Sequence, residues 1–197
     1  MTFRLGLTGS IGMGKSTTAQ MFVDHGCALW DADAAVHRAY APGGPAIAPV
    51  GALVPEALHG DRLDRDVLRN AIRSDAELLS RIEAVVHPIV RADREQFLRE
   101  TKADIAVLDI PLLFETSAEG EMDAVAVVSV APDVQKARVL ERGTMREEDF
   151  NLILSRQMPD AEKRSKADFV IETDTLEHAR QQVETVVKTI RQGLADA

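Results

Sequence analysis

Short apolar runs recur along the chain at residues 3–8, 27–31, 105–110, 124–130 and 169–172, each of strand length and several rich in β-branched residues. Between most of them the apolar positions take a helical spacing, over 15–25, 33–40, 133–142, 146–157 and 175–192. Strands alternating with helices predict a parallel sheet covered on both faces. Ligands of such sheets bind beyond the carboxyl ends of the strands, so the last residues of each strand are where chemistry is expected.

The alternation stops over residues 41–104. Pro42-Gly43-Gly44-Pro45 reads as a turn, and Pro49, Gly51 and Pro55 predict an irregular stretch after it. Helices are predicted over 64–73 and 75–86, the second opened by Ser74-Asp75-Ala76-Glu77 as a capping box. His87-Pro88 is expected to end that helix and start another running to Glu100, because proline suits a first turn. The segment is too long for a plain crossover. The expected organisation is a core of residues 1–40 and 105–197 with a helical insertion at 41–104, placed to bind an acceptor substrate.

Composition narrows the function. The chain has 197 residues, 45% hydrophobic and 28% charged, as in a soluble globular protein of one medium domain or a core with a small insertion. A formal charge of −9 argues against non-specific nucleic-acid binding, so recognition of a phosphate must come from a local cationic pocket. Cys27 lies in the apolar stretch Cys27-Ala28-Leu29-Trp30 and reads as core packing. No zinc-type ligand spacing is visible, and no run approaches the roughly 20 apolar residues of a membrane span. Gly6, Thr8 and Gly9 interrupt the first apolar run, so no signal peptide is expected. The expected setting is the cytoplasm, with no nucleic-acid, membrane or obligate protein partner.

Gly9-Ser10-Ile11-Gly12-Met13-Gly14-Lys15-Ser16 follows the first strand and opens the first helix. Glycine, four free positions, then Gly-Lys-Ser is the pattern of a phosphate-binding loop. A helix N-terminus there presents unpaired N–H groups and a positive dipole end. Gly12, Met13, Gly14, Lys15, Ser16 and Thr17 are therefore the candidate residues for binding a nucleoside triphosphate. Lys15 is expected to reach the β and γ phosphates, and the Ser16 hydroxyl to ligate Mg²⁺. Thr17 either adds a hydroxyl and an N–H near the α-phosphate or is helix surface.

Other strands supply further candidates. The second ends in Trp30-Asp31-Ala32-Asp33, with His37 four residues on. These carboxylates either orient a nucleophilic hydroxyl or a Mg²⁺-bound water, or cap the helix and face solvent. Asp109 ends the third strand, as a second Mg²⁺-site residue or as a partner of the loop backbone. Leu112, Leu113 and Phe114 follow it, as a pocket wall or as core. Arg138 and Arg142 lie four apart on one helix, and Gly143-Thr144 breaks that helix, so a small lid is expected near 138–157. Nucleotide kinases use mobile arginines to neutralise the transferred phosphoryl group.

In this order the chain resembles the dephospho-CoA kinase family. The resemblance rests on Leu7 to Thr17, Asp31-Ala32-Asp33, His87-Pro88-Ile89-Val90, Asp109-Ile110-Pro111-Leu112-Leu113-Phe114-Glu115, and Arg156-Gln157-Met158 followed by Ala167-Asp168-Phe169-Val170-Ile171. It implies a three-layer α/β P-loop core with five parallel strands, a helical CoA-binding insertion and a lid. It implies ATP as donor, with Mg²⁺, and the ribose 3′-hydroxyl of dephospho-CoA as acceptor. Asp33 would be the base or hydroxyl-orienting residue, Thr8 would lie near the acceptor, His87 on the CoA-binding surface, and Arg142 in the lid. Residues around Thr173-Asp174 would approach adenine. The chain departs from the family at Glu172-Thr173-Asp174, where an Asn is common, and between Gly51 and Asp61, which is short. Alternatives are another P-loop small-molecule or nucleotide kinase, a CoA-binding relative without catalysis, and a nucleotide-gated regulatory module. An Asn-Lys-x-Asp segment, which reads guanine, is absent.

Overall fold

The computed structural model describes residues 2–143 and 145–196. In chain order the elements are β1 (Phe3–Thr8), α1 (Lys15–Asp24), β2 (Ala28–Asp31), α2 (Ala32–Ala39), α3 (Ile47–Leu53), β3 (Leu58–His59), β4 (Arg62–Leu63), α4 (Arg65–Ser74) and α5 (Leu78–Glu100). They continue with β5 (Ile105–Asp109), β6 (Ala124–Ser129), α6 (Pro132–Glu141), α7 (Glu147–Arg156), α8 (Asp160–Lys166), β7 (Phe169–Glu172) and α9 (Leu176–Ala195). The main sheet has the order β2-β5-β1-β6-β7, and β1 pairs in parallel with both β5 and β6. The predicted parallel α/β core is present, with its strand boundaries within a residue of the expected ones.

Alternation explains why the central strands read as unbroken apolar runs. Ala124, Ala126 and Val128 of β6 join Leu5, Leu7, Phe22, Val183 and Val187 in one cluster. Val125 and Val127 point the other way, into a second cluster with Leu113 and Phe114. A strand buried on both faces has no polar positions to alternate with. Cys27 is buried in the first cluster, and burial pushes its thiol up to about 11, as expected for a core residue.

The chain divides into two compact units, residues 1–30 with 101–197, and residues 31–100. This moves the expected boundary. α2 goes with the helical unit because it packs on α5, where Arg38 pairs with Asp93 at 2.6 Å. The helical unit has its own core, built from Ala39, Val50, Val54, Leu78, Ile82 and Val86. Its irregular stretch contains α3 and the β3–β4 hairpin, neither of which the sequence pattern predicted.

Two helix boundaries differ from expectation. Ser74 closes α4, and Asp75 instead caps α5, accepting from the Glu77 and Leu78 N–H groups at 2.9 and 3.2 Å. The helix then runs through His87-Pro88 without a break. Proline there removes the donor for the Ala84 carbonyl. Ile82 and Val86 before it, and Ile89 and Val90 after it, are all seated in the same cluster, and that burial holds both halves in line. α6 ends at Glu141 and Gly143 adopts φ 64, as expected for the break; Thr144 lies outside the described residues.

Candidate active site

The phosphate loop is shaped by close approach as much as by conformational freedom. A Cβ at Gly12 would lie 2.5 Å from Val139 Cγ2, and one at Gly9 would lie 2.7 Å from the Val128 carbonyl oxygen. Gly14, at φ 89, is the N-cap of α1. No side chain caps this helix and no acidic residue stands in its first turn. The N–H groups of Lys15, Ser16 and Thr17 therefore have no partner within the helix. An uncapped positive helix end is an anion site.

The Lys15 ammonium pairs with the Asp109 carboxylate at the end of β5, and Asp109 is only 3% exposed. Ser16 and Thr17 are exposed on the first turn. The Ser16 hydroxyl and the Asp109 carboxylate are hard oxygen donors of the kind Mg²⁺ accepts. Among the described residues no group of three or more His, Cys, Asp or Glu side chains is placed to hold a metal.

Beside the loop lies a cavity of about 470 Å³ lined by Gly14, Thr17, Arg138, Arg142, Thr173 and Asp174, among others. Thr173 is a junction within it. Its hydroxyl donates to the Met13 carbonyl at 2.7 Å and accepts from Arg138 at 3.0 Å, while Arg138 also donates to the Thr173 carbonyl. Arg142, just past the end of α6, is exposed.

Several of the expected site residues are engaged within the chain itself. The Arg138 guanidinium, expected in a lid, is tied to Thr173 at the cavity wall. Thr8 is fully buried, with its hydroxyl donating to the Pro111 carbonyl at 3.1 Å, and so presents no surface to an acceptor. Leu113 is also fully buried; Gly6 on β1 lacks a Cβ, and a Cβ there would lie 2.7 Å from Leu113 Cδ1. The Met13 side chain is core, its Sδ accepting from the Val130 N–H, and its own N–H turns to the Ser10 carbonyl at 3.2 Å. Met13 thus shapes the loop, and its side chain is closed to a ligand.

In the helical unit Asp31 is the N-cap of α2, accepting from the Ala34 N–H at 2.8 Å. Asp33 stands exposed in the first turn, and His37 is exposed one turn on. His87 is exposed on α5.

The sequence reading missed one supporting pair. Lys163 of α8 is fully buried with its ammonium 2.9 Å from Glu115. Burial alone would raise the Glu115 carboxyl. The Lys163 ammonium and the Met158 N–H more than offset that and hold it below the ordinary carboxylate value. It also missed Gln135, and named Gln157 in the family resemblance without seeing its contact with Ile11. Gln135 shares a buried helix face with Val139, and a polar residue at an apolar position was the available signal.

A parallel sheet feeding an open helix terminus, with a lysine at its first position and arginines at the adjoining cavity, defines a P-loop kinase. The comparisons narrow this class. The model of the dephospho-CoA kinase family matches residues 3–178. A dephospho-CoA kinase of Ruegeria pomeroyi is 62% identical, with 98% of each chain covered. One of Cereibacter sphaeroides is 57% identical over 99% of this chain and 98% of its own. The solved dephospho-CoA kinase from Campylobacter jejuni superposes with a TM-score of 0.71 at 26% identity, covering 98% of this chain and 99% of its own. The chain belongs to the dephospho-CoA kinase family.

Proposed function

We propose that this chain transfers the γ-phosphate of ATP to the ribose 3′-hydroxyl of dephospho-CoA, giving CoA and ADP. The observation that carries the reading is the uncapped N-terminus of α1 with Lys15 at its first position, in a chain matched to this family over nearly its whole length. The loop N–H groups and Lys15 bind the β and γ phosphates, and Lys15 exchanges its Asp109 partner for phosphate oxygens. Ser16 and Asp109 would hold Mg²⁺, which neutralises phosphate charge when bound with ATP. The cavity by Thr173 and Asp174 takes the nucleoside.

Asp33 orients the acceptor hydroxyl for in-line attack and takes its proton. Its exposure in the first turn of α2 leaves the carboxylate open to a substrate hydroxyl. Arg142 neutralises the transferred phosphoryl group, while Arg138 holds the cavity wall. The helical unit, with His87 on its surface, receives the CoA portion.

An ADP-release assay against a panel of acceptors tests the reading. Dephospho-CoA is expected to support turnover, with adenosine and nucleoside monophosphates near background. Strong preference for a different hydroxyl would make the chain another small-molecule kinase. Acceptor-independent hydrolysis would point to a nucleotide-gated module.

A further inference from the structure

Ile11, within the phosphate loop, is gripped from two sides by residues outside the phosphate-binding pattern. Its N–H donates to Gln157 Oε1 at 3.2 Å, and its carbonyl accepts from Gln135 Nε2 at 2.7 Å. Gln135 lies in α6 and is only 3% exposed. Gln157 is the C-cap residue just after α7. The N–H and the carbonyl of one residue belong to successive peptide planes, so holding both fixes φ and ψ of Ile11 together. One bond alone would leave the other plane free to turn.

That restraint matters because the loop is rich in glycine, and glycine has the most conformational freedom to lose. The Met13 N–H already turns inward, to the Ser10 carbonyl. In a trans peptide the N–H points opposite to the preceding carbonyl. Drawing the Ile11 carbonyl toward Gln135 therefore aims the Gly12 N–H away from α6. We propose that Gln135 and Gln157 are positioning residues for phosphate binding, clamping Ile11 so that the Gly12 N–H is presented to a phosphate oxygen. The clamp also ties the loop to α6, which carries Arg138 and leads into Arg142, so nucleotide-binding loop and arginines are set by the same elements.

The proposal rests on the reading of the loop as an ATP site, and the experiment separates the two. ATP and adenosine affinities are measured by titration of the full chain, with kcat and KM for each substrate. Gln135→Glu removes the donor and sets a carboxylate against the Ile11 carbonyl, whereas Gln157→Glu keeps an acceptor for the Ile11 N–H. Each adds the same charge, so their difference reports the clamp. Gln135→Glu is expected to bind ATP about tenfold more weakly than Gln157→Glu, the effect of losing one well-placed buried hydrogen bond. Gln157→Met is expected to raise KM for ATP by a similar factor, with KM for the acceptor and the affinity for adenosine unchanged. Equal loss at both Glu variants, or a parallel loss of adenosine binding, would overturn the clamp. If Gln135→Glu does not fold, the Gln157 pair decides: Met must weaken ATP binding and Glu must restore most of it. A wild-type chain that binds no ATP would instead overturn the reading of the loop itself.

Discussion

α1 begins at Gly14 with no side-chain cap and no acidic residue in its first turn, whereas α2 begins at Asp31, whose carboxylate accepts from the Ala34 N–H, with Asp33 close behind. Both helices follow a strand of the same sheet, and both carry a positive N-terminal end. In α1 that end is left open, so its N–H groups are free for an anion from outside the chain. In α2 it is filled by the chain's own carboxylates, one spent on capping and the other held exposed. Under the proposed reaction, cap choice turns one physical feature into a phosphate site in the first case and a carboxylate platform in the second. The two substrates of the proposed reaction need those opposite devices.

Replacing Lys15 by Ala should have the largest effect, because the open terminus then loses the ammonium carried at its first position. A fall of about 10³-fold in kcat/KM for ATP is expected, comparable to losing a transition-state charge contact. Steady-state kinetics would check it, and a change of only a few-fold would mean that Lys15 belongs to Asp109 and not to phosphate. Thr17→Asp makes the first turn of α1 resemble that of α2. The added carboxylate should stabilise the helix by about 0.5 kcal/mol while weakening ATP binding roughly tenfold, so melting temperature and affinity move in opposite directions. Asp31→Ala opens the capped end instead. It should cost about 1 kcal/mol of stability in denaturant unfolding and leave KM for ATP unchanged, since the α2 terminus is no phosphate site.

The open terminus was legible in the sequence because the glycines and Gly-Lys-Ser have a fixed spacing, and the strands because their apolar runs are continuous. α8 was not, because Asp160–Lys166 is short and polar and gains its place by burying Lys163 against Glu115. The hairpin of β3 and β4 has strands of two residues each, too short to show a period. Pro88 reads locally as a helix break, and only the packing of Val86, Ile89 and Val90 overrides it.

The site divides similarly. Lys15, Ser16 and Thr17 stand where the loop pattern put them, on the first turn of α1. Thr8 and Leu113 look as available in sequence as any strand-end residue, yet both are sealed by three-dimensional contacts, to Pro111 and over Gly6. Arg138 and Arg142 share a helix face in the sequence, but Thr173 reaches only Arg138 and fixes it. Gln135 carries no motif, Gln157 stands in the Arg156-Gln157-Met158 match without a role the sequence assigns, and their common target, Ile11, occupies a free position of the loop pattern.

The contrast between the two helix ends makes its sharpest claim at Asp33. Turnover and ATP affinity of Asp33→Asn, measured on the same preparation, test it most directly. Turnover with dephospho-CoA is expected to fall by about 10² to 10⁴, the range for loss of a general base, with the ATP dissociation constant within twofold of wild type. Full turnover in this variant, or a loss of ATP affinity in step with turnover, would contradict the assignment of one helix end to each substrate.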